Sequence, residues 1–162
     1  MIYEVSGDIL LTKTQAIAHG ISPNDPFDAG LALALRDRWP MMHKDYRHYA
    51  HQKHPEPGTL WEWGGFGIRI FNLITQDGSF DHGARPGRAS LSNVDHCLKA
   101  LRKKLIEDKI TSVALPRLAT GVGGLAWDDV RQLIRQHLGD MLIPVIVYGT
   151  YHAGQQADEP GL

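Results

Sequence analysis

Between residues 110 and 138 the chain reads ITSVALPRLATGVGGLAWDDVRQLIRQHL. A short apolar run, Val113-Ala114-Leu115, stops at Pro116 and predicts a buried strand over residues 111–115. Glycines at 121, 123 and 124 then make a loop. An amphipathic helix follows from near Trp127, with Val130, Leu133, Ile134 and Leu138 on one stripe. Asp128 and Asp129 fall in its first turn, where carboxylates suit the positive end of the helix dipole. A strand handed to a helix through such a loop can aim several backbone N–H groups at one anion. Glycine permits positive φ there and lets a phosphate approach the main chain. The pattern implies a phosphate-bearing small ligand, although a turn that uses glycine only for steric reasons reads the same way. It excludes a P-loop, because Gly124 is followed by Leu125 and not by Lys-Ser/Thr, and G-x-G-x-x-G is not matched.

The rest of the chain supplies partners for this unit. Weak alternation predicts a first strand over 2–5, and QAIAHGI predicts a second, buried one over 15–21. The loop SPNDPFDAG carries turn residues; a helix starts near Ala29 and stops before Pro40, and another spans 42–50. Residues 59–63 and 68–74 read as a hairpin, and 76–89 as a polar surface loop. Ser90 or Ser92 caps a long helix to about Asp108 with Val94, Cys97, Leu98, Leu101 and Leu105 inward; LIPVIVY at 142–148 is a last buried strand. Strands alternating with helices predict a three-layer α/β/α sandwich with a mixed central sheet. Ligands of such sheets sit beyond the carboxyl ends of the strands, which gathers loops 22–30, 75–89 and 116–124.

The 162 residues suit a single domain over 1–152, with the polar segment 153–162 expected as a flexible tail. With 17 basic and 18 acidic residues, no polyanion-binding surface is implied. Basic clusters at Arg36, Arg38, Lys44 and Arg47 and at Arg102, Lys103 and Lys104 read as solvated helix faces, with a nucleic-acid surface as the alternative. One cysteine, Cys97, excludes an internal disulfide framework and reads as a core thiol. The N-terminus lacks the basic and apolar regions of a signal peptide, and no apolar run reaches the ~20 residues of a membrane span. A cytoplasmic, monomeric protein with no membrane partner is expected. The series His43, His48, His51, His54 lacks zinc-ligand spacing, so no metal is expected. Trp61, Trp63 and Phe66 read as a hairpin face or as a partner patch.

Four segments read together: SGDIL at 6–10, AHGIS with AGLAL at 18–22 and 29–33, LIT at 73–75, and LPRLATGVGGLAW at 115–127. Their order and spacing resemble the macrodomain, the ADP-ribose-binding fold, over about residues 2–149. The branch they resemble holds the terminal ADP-ribose protein glycohydrolase and the antitoxins that remove ADP-ribose from DNA. The resemblance implies that Asp8 accepts the adenine amino group and that the Ile9 N–H addresses the ring. It implies that Ser22 and Ala29-Gly30-Leu31 lie along the diphosphate and distal ribose. Ala119, Thr120, Gly121, Val122, Gly123 and Gly124 would form the second phosphate loop, Thr75 would end the ribose-side strand, and Tyr148 would lie near the adenine. No cofactor is implied, ADP-ribose being ligand and product.

This chain departs from that branch where the chemistry is done. A lysine follows the LIT-like motif in the glycohydrolases; here the position is Gln76. An amide forms no Schiff base and is no general base at neutral pH, although it can orient water. Gly123 stands where the eukaryotic member has an aspartate, and Asp28 where the branch has glycine. Two readings follow. In one, the chain is a mono-ADP-ribosyl hydrolase acting on ADP-ribosylated proteins by a lysine-independent, water-mediated route, with Asp/Glu esters as substrates because a carboxylate leaves readily. Asp28, Gln76 and Gly123 would be its catalytic positions, with Asp77, His82 and Arg85 as further helpers. In the other, the chain binds ADP-ribose without cleaving it; DNA-linked ADP-ribose is a third target.

Overall fold

A computed structural model describes residues 1–65, 67–80 and 85–162. Phe66 and His82 lie outside the described residues. Six strands form one sheet: β1 (Ile2–Gly7), β2 (Ala16–Ile21), β3 (Leu60–Gly64), β4 (Arg69–Ile74), β5 (Val113–Leu115) and β6 (Val145–Tyr151). Their spatial order is β1-β6-β5-β2-β4-β3. Every neighbouring pair is parallel except β3 with β4, so the sheet is mixed with one antiparallel edge. The helices are α1 (Gly30–Arg38), α2 (Pro40–Lys53), α3 (Leu91–Glu107) and α4 (Trp127–Leu138).

Side-chain alternation along the strands separates two cores. Ala16, Ala18, Val113, Leu115, Val145 and Val147 face α3 and α4, meeting Leu98, Leu101, Val130 and Ile134. Ile17, Ile21, Ala114, Ile146 and Tyr148 face the other way, against Leu35 of α1 and Met42, Tyr46 and Ala50 of α2. This is the expected three-layer sandwich. All five parallel strands therefore end at the same edge, and the loops after them converge there.

Several boundaries differ from the sequence expectations. Helix α2 runs from Pro40 to Lys53 rather than 42–50: Pro40 sits in the first turn, where its missing N–H costs nothing, and His54 closes the helix at φ +44. The last strand is Val145–Tyr151 rather than 142–148. Leu142 is exposed and Pro144 has no N–H to give, while pairing with β1 carries the strand on through a bulge between Val5 and Ser6. Ser90, not Ser92, caps α3, its Oγ accepting from Asn93 N–H at 3.0 Å. The segment 153–162, expected as a flexible tail, folds back on the sheet edge: Asp8 N–H donates to Gln155 O at 2.7 Å, and Glu159 is 8% exposed. Gln155, Gln156 and Asp158 stay exposed, while the Glu159 carboxylate is spent on internal hydrogen bonds.

Candidate functional site

Two adjoining cavities lie at the carboxyl edge of the sheet. One, about 460 Å³, is lined mostly by apolar groups: Ile9 and Leu10, Gly30, Leu31 and Ala34 of α1, and Tyr148 and Tyr151 of β6. The other, about 310 Å³, is lined by His19, Asp25, Asp28, Ala29, Gln76, Ala119, Gly121, Val122 and Gly123 among others. Gly30, Leu31, Pro116 and Arg117 border both, so the two form one elongated cleft.

At the waist of that cleft, two sets of unspent N–H groups flank the same space. Helix α1 begins at Gly30 (φ +58) behind Ala29, and no side chain caps it. Its first amides donate to no described residue and sit at the positive end of the dipole. Opposite, the loop after β5 is bent by its own bonds: Leu125 N–H donates to Ala119 O at 3.0 Å, Gly124 N–H to Gly121 O at 3.1 Å, and Thr120 Oγ–H to Arg117 O at 2.9 Å. None of the N–H groups of residues 119–123 donates to a described residue. Two glycines are fixed by this geometry. A Cβ on Gly123 would lie 2.5 Å from Ala119 O, and Gly124 sits at φ +77. Gly121, by contrast, has nothing within 4 Å of that position. Ala119 itself is held at φ +61, and Phe27 across the cleft at φ +54. Strained backbone at non-glycine residues on both walls marks loops whose shape is over-determined by their surroundings.

The smaller cavity carries the polar side chains of the cleft. Gln76 is 7% exposed, and its Nε2 donates to Gly87 O at 2.9 Å. The expected surface loop is thus anchored at its root, where Gln76 bridges Ala89 and Asp77 N–H donates to Arg88 O at 2.9 Å. Ala89 N–H donates to Gly123 O at 3.0 Å, tying this loop to the glycine loop. Asp28 is exposed and lines the cavity. Asp25, its neighbour in the loop, accepts from Ser22 N–H and Ser22 Oγ on one oxygen and from Phe27 N–H on the other, which sets the loop's turn.

Not every expected residue borders the cleft. Ser22 (2% exposed) supports the loop through Asp25. Thr75 is fully buried, with its Oγ1 unpartnered among the described residues and 2.7 Å from where a Cβ on Gly20 would stand. Asp8 lies behind Ile9: its Oδ1 accepts from Leu10 N–H at 3.0 Å and its Oδ2 from Gly154 N–H at 2.8 Å. The Tyr148 ring faces the larger cavity while its hydroxyl donates to Glu159 Oε2 at 2.8 Å. Asp77 and Arg85 are absent from both linings.

Two lining residues carried no sequence signal. Arg117 is exposed at the waist, its guanidinium 5.5 Å from the Trp127 ring centre. His19 follows two buried apolar residues in β2 and reads as core. Its Nε2 lies 2.6 Å from Asn72 Oδ1, and Asn72 Nδ2 donates elsewhere, to Trp61 O. Asn72 Oδ1 can only accept, so Nε2 carries the proton and Nδ1 keeps its lone pair. Burial lowers the His19 pKa from its ordinary 6.5, against the opposing pulls of the Asn72 bond and the Asp25 charge.

The other candidate chemistries are displaced from this cleft. Cys97 is buried, lies within hydrogen-bond reach of the Thr59 and Ile74 carbonyls, and has its pKa pushed up to about 12 by burial. Such a thiol is a poor nucleophile. His43 packs on Phe27, and His54 stacks on Phe80 with ring centres 4.4 Å apart. Among the described residues no group of three His, Cys, Asp or Glu is placed to hold a metal ion. No described helix is long and apolar enough to cross a membrane.

Fold and cleft define the class: an α/β/α sandwich with a ligand cleft at the carboxyl edge of its sheet, walled by a helix N-terminus and a glycine loop. The chain belongs to the Macro domain family, whose profile matches residues 25–134. It is similar to a DNA ADP-ribosyl glycohydrolase of Thermus aquaticus, 26% identical over 142 residues, covering 85% of this chain and 38% of that protein. It is also similar to the human ADP-ribose glycohydrolase OARD1, 24% identical over 145 residues, covering 89% of this chain and 88% of that protein. Among solved structures, the macrodomain of Mycobacterium tuberculosis DarG aligns with a TM-score of 0.79 at 28% identity, covering 93% of this chain and 99% of that one. The chain spans less than two fifths of the length of the DNA ADP-ribosyl glycohydrolases it matches.

Proposed function

We propose that this protein removes mono-ADP-ribose from modified proteins, with ester linkages to Asp or Glu as its substrates, and that water rather than an enzyme lysine attacks the sugar. The observation that carries the reading is the pair of unspent N–H sets across the cleft waist, at the α1 N-terminus and in loop 119–123. A diphosphate is the anion that matches two such walls, with Arg117 supplying a charge beside it. An adenosine then takes the apolar cavity and the distal ribose the polar one. Relatives named as ADP-ribosyl glycohydrolases support the same ligand.

At the ribose end, Gln76 replaces the lysine of the branch and offers an amide to orient water. Two residues able to accept a proton border that end, the exposed Asp28 and the buried His19. Water would attack the anomeric carbon, its proton passing to one of these acceptors while the bond to the substrate carboxylate breaks with its electron pair. That leaving group needs no general acid, which suits a site without lysine.

The test is a time course of ADP-ribose release from three substrates, linked through acidic residues, through serine and through DNA. Release from the acid-linked substrate alone supports the proposal. Release from DNA alone transfers the activity to the target named for the bacterial relatives. Calorimetric binding of ADP-ribose with no release from any substrate makes the protein a reader instead.

A further inference from the structure

The end of β1, beside the apolar cavity, is braced by a segment whose polar sequence gives no hint of it. After β6 the backbone returns across the end of β1. His152 N–H donates to Gly7 O at 2.9 Å, Asp8 N–H to Gln155 O at 2.7 Å, and Gly154 N–H to Asp8 Oδ2 at 2.8 Å. The approach is close enough to require glycine: a Cβ on Gly7 (φ +152) would lie 2.8 Å from Gln155 O and 2.9 Å from the Ala157 side chain. The strap ends at Glu159, a carboxylate 8% exposed that pairs with no cation among the described residues. It is held by neutral donors instead: Thr12 Oγ1–H at 2.5 Å, Lys13 N–H at 2.8 Å and Tyr148 Oη–H at 2.8 Å. Taking a carboxylate out of water without a counter-charge is costly unless its lone pairs are matched, and here they are matched from two separate elements.

Those elements are the two walls of the apolar cavity. Thr12 caps the 3₁₀ turn Ile9–Leu11, which supplies Ile9 and Leu10, and Tyr148 supplies the ring on the β6 side. We propose that Glu159 is a positioning residue for base recognition: by bonding both walls at once it fixes the gap that receives a planar nucleobase. It does not line the cavity itself. Glu159 bonds Thr12, Lys13 and Tyr148 and no described residue of the phosphate walls, so its effect is confined to the base. The proposal rests on the ADP-ribose reading above.

The test uses the full chain and calorimetry with three probes: ADP-ribose, AMP and ribose 5-phosphate. Glu159→Ala weakens ADP-ribose and AMP by about tenfold or more, the loss expected when a charge-assisted bond that sets a wall is removed. Ribose 5-phosphate binding stays within about twofold. Glu159→Gln keeps one acceptor and recovers part of the AMP affinity. Tyr148→Phe weakens AMP in the same direction, and Tyr148→Phe combined with Glu159→Ala costs no more than Glu159→Ala alone, because Glu159→Ala already removes the bond to Tyr148. In turnover Glu159→Ala and Glu159→Gln raise KM more than they lower kcat, the signature of lost uniform binding. Should Glu159→Ala not melt cooperatively, Glu159→Gln and Tyr148→Phe carry the same comparison. Equal loss for AMP and ribose 5-phosphate, or no loss for either, overturns the role of Glu159 while the ligand reading stands. A wild-type protein that binds none of the three probes overturns both.

Discussion

Replacing Gly123 by alanine tests the glycine loop directly. The added Cβ would meet Ala119 O at 2.5 Å and the Ala119 carbonyl carbon and Cα at 3.0 Å, all of them backbone. No rotamer change relieves a clash between main chains, so the loop must shift. Ala119, already at φ +61, is where it would yield. Two hydrogen bonds are at stake, Leu125 N–H to Ala119 O and Ala89 N–H to Gly123 O. Overpacking of this kind costs about 1–3 kcal/mol, which in a domain of this size lowers Tm by about 2–12 °C. The larger effect is on binding. If two loop N–H groups lose their aim at the diphosphate, at about 1.5–3 kcal/mol for each bond to a charged group, affinity falls by about 10²-fold or more. Gly121→Ala is the matched control, since its Cβ meets no protein atom within 4 Å, and its Tm should be that of wild type. Calorimetry with ADP-ribose and a thermal melt on both variants make the comparison. A Gly123→Ala protein with wild-type affinity would refute the assignment of this loop to the phosphates.

Three further outcomes follow from the same structure. His19 is kept neutral by burial, so its folded pKa lies below the ordinary 6.5 and the unfolded chain binds its proton more readily. His43, lowered chiefly by burial and by Arg36 and Arg47, acts in the same sense. Stability is therefore full above about pH 6.5 and declines as the pH falls below it, and a denaturant midpoint that rose on acidification to pH 5.5 would contradict this. Cys97, with its thiol raised to about 12, should resist alkylation at pH 8 in the native protein and react at once on denaturation. Leu98→Ala, at a fully buried α3 position facing the sheet, should cost about 2–5 kcal/mol in urea unfolding without moving ADP-ribose affinity.

Much of the fold was legible because α3 and α4 declare their buried stripes. Val94, Cys97, Leu98, Leu101 and Leu105 of α3 and Val130, Ile134 and Leu138 of α4 are all buried. Boundaries were less so: the run LIPVIVY gives no sign that Leu142 is exposed while the less apolar Gly149-Thr150-Tyr151 continues the strand against β1. The glycine loop declared its tight turn locally, since N–H groups and φ angles belong to the segment itself. His19 did not, because a histidine in a buried strand acquires a tautomer only from Asn72, 53 positions away in sequence. Glu159 was equally hidden. Composition alone sends a polar terminus such as AGQQADEPGL to solvent, and only the three-dimensional placing of Thr12, Lys13 and Tyr148 brings its carboxylate inside.

Water attack at the sugar is most directly tested by release from a protein ADP-ribosylated on acidic residues in ¹⁸O water, followed by mass spectrometry of the freed side chains. The account predicts ADP-ribose release well above the enzyme-free rate, with unlabelled Asp and Glu carboxylates, because the bond from the anomeric carbon to oxygen is the one that breaks. One ¹⁸O in each freed carboxylate would place the attack at the acyl carbon instead. Release no faster than without the protein would contradict hydrolysis altogether.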